Sequence, residues 1–139
     1  MRKRIFMLVV LALMVVAAMA LSGVAQAASP RAKCQQEAAS LGSLDGYTFI
    51  YGNNKNNVFT DTAGQPEVFC GLGGDDSIGS QIDPLSLETG DIFIGGAGAD
   101  TAYQNYGGTF NGGDGTDSVV NNYTNFGSTL DSVEVVGSP

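Results

Sequence analysis

Apolar residues fall along this chain in two arrangements. Behind Arg2, Lys3 and Arg4, the stretch 5–21 is a nearly unbroken apolar run, at the lower edge of membrane-spanning length. Ala25-Gln26-Ala27 then supplies the small residues of a signal-peptidase site, so the pattern predicts a secretory signal, residues 1–27, cut before Ala28. The competing reading is a membrane anchor. No basic stop-transfer cluster follows directly, and no cysteine stands where lipid attachment needs one. Beyond Ala28 the apolar positions are short and isolated, and glycines punctuate them.

The punctuation is periodic. Gly71-Leu72-Gly73-Gly74-Asp75-Asp76-Ser77-Ile78, Gly95-Gly96-Ala97-Gly98-Ala99-Asp100-Thr101-Ala102 and Gly112-Gly113-Asp114-Gly115-Thr116-Asp117-Ser118-Val119 align without gaps. Each has Gly at positions 1 and 4, Asp at 6, Ser or Thr at 7 and an apolar residue at 8. A worn copy, residues 52–59, precedes them, with Lys55 at position 4 and Asn57 at position 6. Ile50, Phe69, Phe93 and Phe110 lie two places before the leading glycines Gly52, Gly71, Gly95 and Gly112. The unit is therefore near twice nine, with one longer step from Gly71 to Gly95. That step places an insertion at residues 80–89, where Pro84 interrupts any strand.

Such a unit predicts two short strands and two corners per turn, with every glycine corner on one side. Glycine, and Asn in the worn copy, accept the left-handed backbone of a tight corner. No single turn can bury its apolar residue alone, so turns must stack. Phe69, Phe93 and Phe110 should form one inward ladder, and Ile78, Ala102 and Val119 a second. Ala102 is small for its place, so packing there should be thin. The fold predicted is all-β, a short parallel β-roll or β-solenoid over residues 47–136, with a short tail at 137–139. An N-terminal cap segment at 28–46 holds a short helix at 32–41. Residues 129–136 should close the coil as one strand.

Stacking has an electrostatic consequence. Neighbouring turns lie about 4.8 Å apart, which would set Asp76, Asp100 and Asp117 in a column of like charges. Two such charges repel by about 1 kcal/mol in water and about 4 kcal/mol when partly buried. No Lys or Arg follows Lys55 to separate them. A hard cation with six to eight oxygen ligands would, and Ca²⁺ suits a cage of carboxylates and carbonyls better than Mg²⁺, which keeps its waters.

The three segments resemble the RTX, or haemolysin-type, calcium-binding nonapeptide repeat, G-G-x-G-x-D-x-U-x with U apolar. The resemblance covers residues 52–120, with looser similarity to Val136. It implies a parallel β-roll holding Ca²⁺ between stacked corners. Asp76, Asp100 and Asp117 would be the side-chain ligands, and backbone carbonyls would come from the corners of Gly71 and Gly73, of Gly95, Gly96 and Gly98, and of Gly112, Gly113 and Gly115. Three corners leave two gaps, so two ions are expected, with Asp100 bordering both. Leu72 departs from the pattern at position 2, and the worn copy, lacking Gly at 4 and Asp at 6, should hold no ion. Asp75 and Asp114 read as solvated loop acids. The plainer alternative is a calcium-free coil whose Gly and Asp only turn corners.

Charge narrows the partners. Without residues 1–27, three basic residues face 14 acidic ones, a net charge of −11. That surface repels nucleic acid and anionic membrane and attracts cations, and the mature chain is not expected to span a membrane. An acidic, Gly-rich chain could also be disordered, but this one carries Val, Ile, Leu, Phe and Tyr to bury.

Cys34 and Cys70 are the only cysteines. An oxidising exterior favours a bridge over two buried thiols. Cys70, next to inward Phe69, should face out and meet Cys34, pinning the helix to the coil. With no His, no Ser-His or Cys-His pair can form. A carboxylate pair such as Asp83 and Glu88 could do acid-base work on sugars, but both fall in the insertion, where exposed loop acids are only solvated, so no enzyme is expected. A second reading is an extracellular adhesive or surface module, in which Tyr103, Tyr106, Tyr123 and Asn-rich faces contact a glycan or a protein.

Overall fold

The computed structural model describes residues 28–80, 87–123 and 126–137. The expected signal, residues 1–27, lies outside them, as do Asp83 and Pro84 of the insertion and the end of the expected tail. Among the described residues no helix is long and apolar enough to cross a membrane.

Among the described residues the chain is a parallel β-solenoid with one helix, α1 (Pro30–Leu41). One sheet stacks β1 (Thr48–Tyr51), β3 (Glu67–Cys70), β6 (Ile92–Gly98), β8 (Thr109–Gly115) and β10 (Thr129–Asp131) in that order. The other stacks β2 (Val58–Phe59), β4 (Ser77–Ile78), β7 (Thr101–Tyr106), β9 (Ser118–Asn122) and β11 (Val135–Val136). These pairs are parallel, because the chain passes from one sheet to the other at each corner and returns one level further on. Register follows the repeat. Ile50 lies on Phe69, Phe69 on Phe93 and Phe93 on Phe110, while Phe59, Ile78, Ala102 and Val119 stack in the facing sheet.

These two ladders are the core. Phe69, Phe93, Phe110, Ile78, Ala102 and Val119 are fully buried, and the Phe93 and Phe110 rings stack at 5.1 Å between centroids. Leu87 is buried in the same core. It comes from β5 (Leu87–Glu88), a strand added beside β7 within the stretch expected to be only an insertion. Apolar side chains there recover an inward position as soon as the chain rejoins the sheet.

A second apolar layer lies outside the first sheet. Val68, Cys70, Ile92 and Ile94 alternate with the inward residues, so they face out, and α1 covers them with Cys34 and Ala38. Ser29 caps the helix, its hydroxyl accepting from the Ala32 N–H at 3.2 Å, and Pro30 starts the first turn without needing a donor. The Cys34–Cys70 disulfide is formed, with Cα atoms 6.1 Å apart. It fixes the helix to the flank of the coil and accords with an oxidising compartment.

The C-terminal end differs from expectation. Residues 129–136 are not one closing strand but two, β10 and β11, one in each sheet, with a further corner between them. Leu130, in register with Phe110, and Val133 continue the core where no glycine pattern announces a turn.

Candidate metal centre

The glycine corners stack as the repeat implies, and the position-6 acids form their spine. Asp76, Asp100 and Asp117 are 1%, 0% and 0% exposed. Each uses Oδ1 in the same way, accepting the backbone N–H at position 6 of the preceding turn. Asp76 accepts from Asn57, Asp100 from Asp76 and Asp117 from Asp100, all at 2.7 Å. These bonds link each acid to its counterpart one repeat earlier. Asp100 thus touches both neighbours in the column, one through its carboxylate and one through its amide. The longer step between the first two corners therefore does not put them out of register.

Oδ2 of all three aspartates is buried with no hydrogen-bond partner. It is aimed back under its own corner, so that a Cβ on Gly71, Gly95 or Gly112 would collide with the carboxylate of Asp76, Asp100 or Asp117. Position 1 is glycine because the position-6 acid fills the place of its side chain. At position 2, Gly96 and Gly113 have φ of 108° and 96°, and a Cβ would meet the carbonyl of the turn before. Leu72 holds the same left-handed backbone at φ 77° with a full side chain, a strained conformation for a bulky residue. Its side chain is half-buried beneath α1.

Burial sets the electrostatics. Desolvation pushes the Asp100 carboxyl up to about 7, the hydrogen bond from Asp76 opposing, and the charges of Asp76, Asp117 and Asp75 adding to the rise. Asp76 is raised to about 6 and Asp117 is raised, each chiefly by burial, with the amides of Asn57 and Asp100 opposing. The column is short of positive charge. Among the described residues, the ion pair of Lys33 with Glu37 sits on α1, away from the acid column.

The donor set fits a hard cation in kind. It offers three orphaned carboxylate oxygens and the carbonyls of glycine corners, with neither sulfur nor imidazole. Among the described residues no three acidic side chains converge on one point, so each turn would bring a single carboxylate and the rest would be carbonyl or water. The second and third corners lie close: Gly96 to Gly98 pair with Gly113 to Gly115 as a parallel ladder. The first corner is tied to the second, Gly74 N–H donating to the Ala97 carbonyl at 2.9 Å. Gly71, Gly73, Gly95, Gly96, Gly98, Gly112, Gly113 and Gly115 thus stand together with the aspartates on one side of the coil.

Three features are not legible in the repeat. Asp75, expected as a solvated loop acid, is exposed but accepts from Ala99 N–H at 2.9 Å, tying the first corner to the second. Asp114 is exposed, as expected. Glu134 takes the place of the position-6 acid in the last turn, its Oε2 accepting from Asp117 N–H at 2.6 Å. In the worn copy Asn57 Oδ1 accepts from Asn53 N–H at 2.9 Å, so an amide replaces the acid without leaving an orphaned oxygen. One signal could have revealed Glu134: it follows Asp117 by the same step that separates Asp117 from Asp100.

No protein-family model, curated protein or solved structure matches this chain.

Proposed function

We propose that the protein is a secreted calcium-binding repeat protein of the RTX type, with Ca²⁺ held between its stacked glycine corners. One observation carries this reading: three buried Oδ2 atoms in one column, none with a partner, in a segment without Lys or Arg. A calcium-free coil would leave three desolvated carboxylates uncompensated, each costing far more than the hydrogen bond on its Oδ1 returns. A cation at the corners removes that cost, and the oxygen-only donor set selects the Ca²⁺ class. Binding energy then adds to folding energy.

The test is calorimetric titration of Ca²⁺ into chelator-stripped protein, followed in parallel by circular dichroism. Saturable binding with a gain in β signal or thermal stability is expected. Heat that Asp76→Asn, Asp100→Asn and Asp117→Asn together leave unchanged would refute it. Secretion has its own check. The exported protein should have the mass of a chain beginning at Ala28, and retention with residues 1–27 intact would overturn it.

A second reading has one observation in its favour. Tyr106 and Tyr123 stack at 4.3 Å, and Phe126, 56% exposed, meets Tyr106 edge-on at 6.0 Å. Such a platform, away from the glycine corners, suits the apolar face of a sugar ring or a partner's side chain. Phe126→Ser should abolish binding to any glycan that titrates against the wild type, with calcium binding intact.

A further inference from the structure

The return corners, on the side opposite the glycines, carry a second group of acids that the repeat does not include. Asp61 lies two places after β2, Glu67 opens β3, Glu88 closes β5 and Asp91 immediately precedes β6. Three of them have structural tasks. Glu67 Oε2 accepts from Thr62 N–H at 2.9 Å and Glu88 Oε2 from Gly64 N–H at 3.4 Å. Asp91 accepts twice, from Glu67 N–H at 3.1 Å and from Glu88 N–H at 3.0 Å.

Asp61 has no such task. It is 4% exposed, and neither of its carboxylate oxygens has a hydrogen-bond donor. Thr62, the next residue, donates its N–H to Glu67, and Glu67 donates its own to Asp91, itself 3% exposed, so these bonds bring the two turns together. The charges of Asp91, Glu88 and Glu67 act on Asp61. An acid kept only to shape the corner would cap an amide, as its three neighbours do. Instead two acceptors meet in a buried place, with no basic residue after Lys55 to stand between them. What neutralises them must come from solution, and it is either a cation or a proton.

The donors decide the class of cation. Both cysteines are committed to the disulfide and the chain has no His, so only oxygen is on offer. Asp61 presents both oxygens freely, which suits bidentate ligation. Each Asp91 oxygen accepts one N–H and keeps a second lone pair. Since among the described residues no third carboxylate converges, carbonyls and water would complete the shell. We propose that Asp61 and Asp91, where the return corner after β2 meets the one before β6, form a second site for a hard divalent cation of the Ca²⁺ class, separate from the glycine corners. The site shares no residue with the Asp76, Asp100 and Asp117 column and stands independently of the function proposed for it.

Ca²⁺ titration of the full chain at pH 8 distinguishes the two. The variant with Asp76, Asp100 and Asp117 all changed to Asn should still bind Ca²⁺, and adding Asp61→Asn should weaken that residual binding at least tenfold. Asp61→Asn alone should remove one class of bound ion and leave the corner ions in place. In wild-type protein, Ca²⁺ should shift the NMR amide signals of Thr62 and Glu67, a readout that needs no variant to fold. Residual binding untouched by Asp61→Asn, or amides that do not move, would overturn the site. So would an Asp61→Asn protein that melts higher in chelator but binds Ca²⁺ as the wild type does, since a shared proton would then be the neutralising partner. If the corner variant keeps all wild-type binding, the corner reading fails and this one stands.

Discussion

Stripped of cations, the folded chain should lose stability as pH rises, the reverse of most acidic proteins. Burial raises Asp100 to about 7 and Asp76 to about 6, against an ordinary 3.8 in the unfolded chain. The fold therefore holds these protons more tightly than the unfolded state does. Below about pH 4 both states are protonated and the cost is absent. Between about pH 4 and 7 the unfolded chain releases protons that the fold retains, and folding weakens with each step. One pKa unit is worth about 1.4 kcal/mol, so Asp100 alone contributes about 4 kcal/mol and Asp76 about 3 kcal/mol. Those losses approach the whole stability of a small domain, about 5–15 kcal/mol. In EGTA the melting temperature should be high at pH 5 and low, or the fold absent, at pH 8. Saturating Ca²⁺ binds the ionised form, so the order should invert, with pH 8 the more stable. Circular dichroism melts at the two pH values, with and without the ion, give all four numbers. A chelated protein that melts higher at pH 8 than at pH 5 would contradict the buried, uncompensated column.

Four further outcomes follow from the same geometry. Asp100→Asn should raise the melting temperature in chelator at pH 8, because the amide oxygen can still accept from Asp76 N–H while the buried charge is removed, yet it should weaken Ca²⁺ binding more than either neighbour's change, which parallel titrations would show. Gly95→Ala sets a methyl against the Asp100 carboxylate and should cost about 2–3 kcal/mol in denaturant unfolding, far beyond an ordinary surface change. Leu72→Gly removes a strained backbone at φ 77° and should be neutral or stabilising by up to about 1 kcal/mol in the same unfolding assay; a clear loss would mean that the contact with α1 outweighs the strain. Reducing Cys34–Cys70, a bridge with a sequence separation of 36, should cost about 3–4 kcal/mol by chain entropy, and thiol labelling of the unreduced, denatured protein should find no free sulfhydryl.

The periodic glycines and apolar residues by themselves determined the all-β solenoid, the two inward ladders and the side of the coil on which the aspartates gather. They could do so because in a stacked coil each residue's neighbour is the same position one period away. The cysteine pair was legible for a related reason, since alternation along β3 turns Cys70 outward once Phe69 is inward. What the tertiary structure alone decided lies where the period breaks. Glu134 closes the column although its turn has no glycine pattern; its step from Asp117 matches that from Asp100 to Asp117, but the structure is what brings its side chain under Asp117 N–H. Leu87 reaches the core from an insertion whose length hides its register. Asp61 and Asp91 lie in different turns and share no motif. The return corners, unlike the glycine corners, vary in length from turn to turn, so the repeat does not show that the two turns are linked there through Glu67. Sequence spacing cannot place two side chains across a variable loop; the strands on either side, held by the Phe and Ile ladders, do.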